Sequence, residues 1–205
     1  AGRNAVRVED VHRLKQDPAY NAPLDCIREL LRRSGLPNDD AAAAQALVEA
    51  REHYAGDADF ERVYGRPVSA PRGPGLAQND RLLIPRDLPP LSVPIAVFTG
   101  RDEGEARWVV ERFRLFDSLE ERHLWHNGNG VDKPHPEAFA RCLANLGVGP
   151  VLYLGDLAAD AEMVVRYRAL PIQPAPVIFA LVGEEGPVEL ADVHVANATE
   201  LLRRL

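Results

Sequence analysis

The chain has 205 residues, 46% hydrophobic and 27% charged, enough for one full core and a small second module. Its 31 acidic residues against 24 Lys and Arg give a formal net charge of −7, which argues against nucleic-acid backbone binding as the main task. Two cysteines without metal-type spacing, and no apolar run approaching about 18 residues, exclude a disulfide framework and a helical membrane span, so a soluble cytoplasmic protein is expected.

Residues 6 to about 82 read as helical. Val8, Val11, Leu14 and Lys15 suggest a short first helix, stopped by Asp17-Pro18. A second runs from about Pro23 to Ser34 with Leu24, Ile27, Leu30 and Leu31 on one face, and Gly35 and Pro37 end it. Asp39 and Asp40 suit the N-terminus of an Ala-rich third helix reaching about Tyr54. A short segment from Asp57 to Tyr64 precedes a Pro/Gly-rich loop or hinge at 67–75.

From Ser92 the rhythm changes. Short apolar runs occupy Val93–Phe98, Val151–Leu154, Val177–Val182 and Val193–Val195, with a weaker one near His123–His126. Helical patterns fall at about 103–115, 135–146, 158–169 and 198–205. This alternation predicts an α/β fold, a Rossmann-like parallel sheet with helices on both faces. Ligands of such sheets bind beyond the C-terminal strand ends.

Three segments fall at those ends or at helix starts. Thr99-Gly100-Arg101 offers a hydroxyl and an approachable amide for a phosphate oxygen, or simply a strand-to-helix turn. Lys133-Pro134 stands just before a helix start at Pro136 and can neutralise a phosphoryl group, or be a solvated loop lysine. Asp156 and Asp160 are four apart, and at helical spacing both carboxylates would face one way toward a hard cation such as Mg²⁺; the alternative is that they cap the helix. Gly128-x-Gly130 lacks the third glycine of a dinucleotide fingerprint, so a nucleotide-binding Rossmann domain is a weak rival.

Together these segments resemble motifs two to four of the haloacid dehalogenase superfamily of phosphohydrolases: an apolar strand ending in Thr, a Lys before Pro, and Gly-Asp-x-x-x-Asp. The resemblance implies an α/β core over 83–205 and a small α-helical cap over about 1–82. It implies Thr99 and Gly100 on the phosphoryl oxygens, Lys133 on the developing charge, and Asp156 on Mg²⁺. Asp160 would be the second carboxylate or an orienting partner. It further implies a small phosphorylated metabolite as substrate, with Arg13, Lys15, Tyr20 and Asn21 of the cap as candidates to contact it; a homodimer remains open. A dehalogenase, which attacks carbon and needs no metal, is the lesser member of the same class.

The resemblance also implies a first motif, an apolar strand ending in Asp-x-Asp, whose first Asp attacks phosphorus. The one Asp-x-Asp here, Asp57-Ala58-Asp59, follows a helical segment instead. In this family the first-motif strand lies between the strands carrying Thr99 and Asp156. Without it about five or more backbone pairs would lose partners, at ~1–3 kcal/mol per buried group. The expectation is that the nucleophile segment is absent from this chain or that another segment fills the slot. The chain alone is then expected to be inactive, and the rival from a different class is a non-catalytic binding or regulatory protein of the same fold.

Overall fold

The computed structural model describes residues 6–81, 93–114, 119–131, 133–147, 149–183 and 186–203. The chain divides into two compact units, Ala1–Arg81 and Leu82–Leu205.

The first unit is helical: α1 (Val8–Lys15), α2 (Pro23–Arg33) and α3 (Asp40–Tyr64). Asp17 ends the α1 connection by accepting from the Ala19 amide at 3.0 Å, as its place before Pro18 suggests. Asp39 caps α3 through the Ala42 amide at 2.9 Å. The expected break between two helices is a kink inside α3 at Gly56, with φ 71° and ψ 175°. Only glycine fits there, because a Cβ would stand 2.1 Å from the Gly75 nitrogen. The 67–75 loop is pinned to α3. Glu52, 1% exposed, accepts from the Ser69 amide, the Ser69 hydroxyl and the Arg72 guanidinium. Asp57 accepts from the Arg72 and Gly73 amides at 2.8 and 2.9 Å. Of the two readings, loop or hinge, the stretch is a loop, and it is clamped to α3. Leu24 departs from expectation too: it is 41% exposed, and the buried residues of α2 are Cys26 and Glu29.

The second unit alternates as predicted: β1 (Val97–Phe98), α4 (Glu103–Phe113), β2 (Leu124–Trp125), α5 (Pro136–Leu146), β3 (Val151–Gly155), α6 (Ala158–Arg168), β4 (Val177–Val182), β5 (Val193–Val195) and α7 (Ala198–Leu202). Every strand pair is parallel, and the fold is α/β of Rossmann-like type. β1 is shorter than the apolar run from Val93, in which Pro94 has no amide to give a ladder.

Among the described residues the strands form two sheets, β1-β2 and β3-β4-β5, and no backbone pairing joins them. Side chains bridge them instead. Phe139 of α5, 1% exposed, meets Phe98 of β1 at 5.5 Å between ring centroids, Tyr153 of β3 at 4.8 Å and Tyr167 of α6 at 5.3 Å. Each such ring pair contributes about 0.5–1.5 kcal/mol beyond its burial. Met163, Val164, Phe179 and Leu181 complete this core. Trp108 is buried as expected, while Trp125 is only partly so. No described helix is long and apolar enough to cross a membrane.

Candidate active site

Lys133 lies three residues before Pro136, which opens α5, and the Lys133-Pro134 peptide is cis. The preceding 3₁₀ turn, Asn127–Asn129, is locked locally. The His126 amide donates to Asn129 Oδ1 at 2.7 Å, and the Gly128 amide donates to His126 Nδ1 at 3.1 Å. The Asn127 amide reaches back to the Arg101 carbonyl at 2.9 Å, which ties this turn to the loop after β1.

The Lys133 ammonium points inward. It donates to Asp160 Oδ1 at 2.7 Å and to the Tyr153 hydroxyl at 3.0 Å. It also sits 5.4 Å from the Phe98 ring centroid and 5.7 Å from that of Tyr153. The solvated-loop reading of Lys133 is thus set aside: its side chain is 12% exposed and that of Asp160 is 3%.

Asp160 is fully engaged. Its Oδ1 accepts from Lys133 and from the Tyr153 hydroxyl at 2.6 Å, and its Oδ2 from the Asp156 and Leu157 amides at 3.2 and 3.1 Å. The amide bonds cap α6, whose N-cap is Leu157. Asp156 precedes that cap, so helical spacing does not govern the pair. The two carboxylates sit in different surroundings: Asp156 is exposed and Asp160 is buried. The helix is capped by Asp160 rather than Asp156.

Thr99 continues the β1 ladder, its amide donating to the Trp125 carbonyl at 2.9 Å, and its hydroxyl accepts from the Arg101 amide at 3.3 Å. Gly100 is exposed, with no heavy atom within 4 Å of where a Cβ would stand. Phe98, the residue before Thr99, is the one that meets Lys133. Of the three sequence segments, the structure thus joins Lys133 directly to Asp160, and to the first segment through Phe98, the residue before Thr99.

Tyr153 is the member that sequence reasoning missed. Burial first, and then the charge and hydrogen bond of Asp160, hold its phenol well above the ordinary value. It stays protonated and donates to Asp160 while accepting from Lys133. The available signal was strand alternation: Tyr153 and Gly155 share one face of β3, the face on which Asp160 rests.

In the helical unit, Lys15 donates to the Asn21 carbonyl at 2.5 Å, and desolvation lowers its pKa. Tyr20 and Asn21 are partly buried and Arg13 is exposed. Tyr20 lines a shallow pocket with Arg28, Arg32 and Asn38. Asp57, the first residue of the only Asp-x-Asp, is spent on the 72–73 backbone.

Residues 85–166 match a protein-family model described as haloacid dehalogenase-like hydrolase. The matched segment contains Thr99, Lys133, Asp156 and Asp160. It supports membership of the haloacid dehalogenase superfamily and a hydrolase-type function in general. Comparisons with curated proteins and with solved structures return no match.

Proposed function

We propose that this hydrolase-like protein is a Mg²⁺-dependent phosphohydrolase of a small phosphorylated metabolite, working through an aspartyl-phosphate. The observation that carries the reading is the Lys133 ammonium. It is anchored 2.7 Å from Asp160 and flanked by the strand that ends in Thr99. A lysine so fixed is a preorganised positive charge for an anionic group at the strand ends.

In this reading the Thr99 hydroxyl and the Gly100 amide bind phosphoryl oxygens, and Lys133 neutralises charge that develops on them. Asp156, exposed beyond β3, is the carboxylate this reading assigns to a hard cation. Mg²⁺ takes one or two carboxylates together with phosphate oxygens and water, so Asp156 fits as one part of such a set. Asp160 does not, because four donors already occupy its oxygens; it is the orienting partner. Among the described residues no group of three His, Cys, Asp or Glu side chains assembles to hold a metal. When bound, Mg²⁺ supplies neutralisation of the phosphoryl charge. This reading assigns the attacking carboxylate to none of the described residues. Substrate choice is assigned to the helical unit as a cap, with Arg13, Lys15, Tyr20 and Asn21 its candidate contacts.

The test is binding before turnover. Calorimetric titration with Mg²⁺ and inorganic phosphate should show Mg²⁺-linked phosphate binding that Asp156→Asn abolishes. Phosphate release from a metabolite panel should be little or nothing. If neither ion binds, the phosphohydrolase reading falls and the non-catalytic binding protein replaces it. Turnover lost on Asp156→Asn would retain the hydrolase and place the nucleophile within this chain.

A further inference from the structure

We infer that Tyr153 is a positioning residue, the third member of a closed hydrogen-bonded ring that fixes the Lys133 ammonium. Each edge of the ring is short. Lys133 Nζ to Asp160 Oδ1 is 2.7 Å, Lys133 Nζ to Tyr153 Oη is 3.0 Å, and Tyr153 Oη to Asp160 Oδ1 is 2.6 Å. The phenol has one proton, and the carboxylate has none to give, so the proton goes to Asp160 and the phenol oxygen accepts from Lys133. Tyr153 therefore does two things at once. It removes the rotational freedom of the ammonium, and it takes up part of the acceptor capacity of Asp160.

The ring is held from behind. Tyr153 packs on Phe139 at 4.8 Å and stacks on Phe179 at 6.0 Å, so its hydroxyl is placed by the core rather than by solvent. Lys133 in turn lies over the Phe98 ring as well as that of Tyr153, an aromatic corner that suits a compact ammonium. A planar guanidinium needs more room to make its paired bonds. The chain's only lysines are Lys15 and Lys133, and arginine serves everywhere else as the long-chain cation. The ring also separates two jobs that the Asp156/Asp160 spacing taken alone would join. Asp160 belongs to the lysine, and the cation role falls to the exposed Asp156.

The consequence for phosphate rests on the phosphohydrolase reading; the ring itself does not, and the experiment separates them. With only two lysines, ¹⁵N-lysine labelling gives one ammonium signal for each, assigned by Lys15→Arg. Lys133 should give a slowly exchanging ammonium signal in the unaltered chain near neutral pH. Tyr153→Phe keeps the ring packing and deletes the hydroxyl. It should broaden or erase that signal and weaken inorganic phosphate binding by roughly ten-fold or more, the size of a lost hydrogen bond to a charged group. Asp156→Asn should leave the Lys133 signal in place while removing Mg²⁺ binding. An unaltered chain with no protected Lys133 signal overturns the inference, whether or not the variant folds. So does a Tyr153→Phe chain with the signal and phosphate affinity unchanged. Loss of the signal in Tyr153→Phe, with no phosphate binding in any form, keeps the ring and removes only the phosphohydrolase reading.

Discussion

Gly155 lies directly beneath Asp160: a Cβ built on Gly155 would stand 2.6 Å from the Asp160 Cβ and 2.9 Å from Oδ2. The glycine is required by this contact and not by its own backbone conformation. It lets the first turn of α6 descend until Oδ2 meets the Asp156 and Leu157 amides. Gly155→Ala should push Asp160 off those donors. We expect a loss of about 1–3 kcal/mol by urea unfolding, the ordinary cost of an overpacked site. A variant as stable as the parent would show that the turn can move.

The Lys133–Asp160 pair is buried, so its halves should not behave independently. Removing one partner of such a pair leaves an unmatched charge and costs about 3–5 kcal/mol. Asp160→Ala and Lys133→Met should each destabilise on that scale. The double variant should cost clearly less than the two added together, because no charge is then stranded. Additive losses in a double-mutant cycle would mean that the pair is not coupled.

The placement of Thr99, Lys133 and Asp156 was legible because motif residues at strand ends follow simple rules. Thr99 and Asp156 close apolar runs, and Lys133 precedes a proline-started helix. Three things were not legible. The spacing of Asp156 and Asp160 reads as one helical face only if both lie in the helix, and the N-cap at Leu157 divides them. Tyr153 reads as one more apolar strand residue, since its hydroxyl acquires meaning only when Lys133 arrives from twenty positions away. The 67–75 stretch reads as a loop or hinge from its Pro and Gly content, and only the structure shows that Glu52 and Asp57 of α3 clamp it. Sheet continuity was legible as an alternation and not as a pairing: β1 and β3 share Phe139 rather than a ladder.

Alkaline pH should loosen the second unit. Burial raises the Cys142 thiol from 9.0 to about 12, and the Tyr153 phenol is raised well above 10.0. Both groups are neutral when protonated, and both hold their protons more tightly in the folded chain than in the unfolded one. Their contribution is therefore complete below the unfolded values. It is lost as pH rises, from 9.0 toward about 12 for Cys142 and above 10.0 for Tyr153. Each group adds at most about 1.4 kcal/mol per pH unit to the slope. Urea midpoints measured from pH 8 upward should fall, and Cys142→Ala should flatten the early part of the fall. An unchanged slope in that variant would place the cause elsewhere.

The helical unit should respond to acid instead, and through Glu52. Its carboxylate is held below the ordinary 4.5, first by the Ser69 amide and then by the Ser69 hydroxyl and Arg72, against the opposing effect of burial. A depressed carboxylate contributes in full above its unfolded value and loses that contribution as pH falls through the folded one. Below about pH 4.5 the clamp on the 67–75 loop should therefore weaken. Protonation removes the charge that holds Arg72, while the Asp57 carboxylate and the Gly56–Pro74 backbone bridge still anchor the far end of the loop. Glu52→Gln should reproduce the acid state at neutral pH. The amide exchange of Ser69 reports it directly, since that amide is the donor to Glu52. It should exchange faster in Glu52→Gln at pH 7, while the Gly73 amide, bonded to Asp57, stays protected longer. Equal exchange of Ser69 in both forms would mean that Glu52 does not hold the loop.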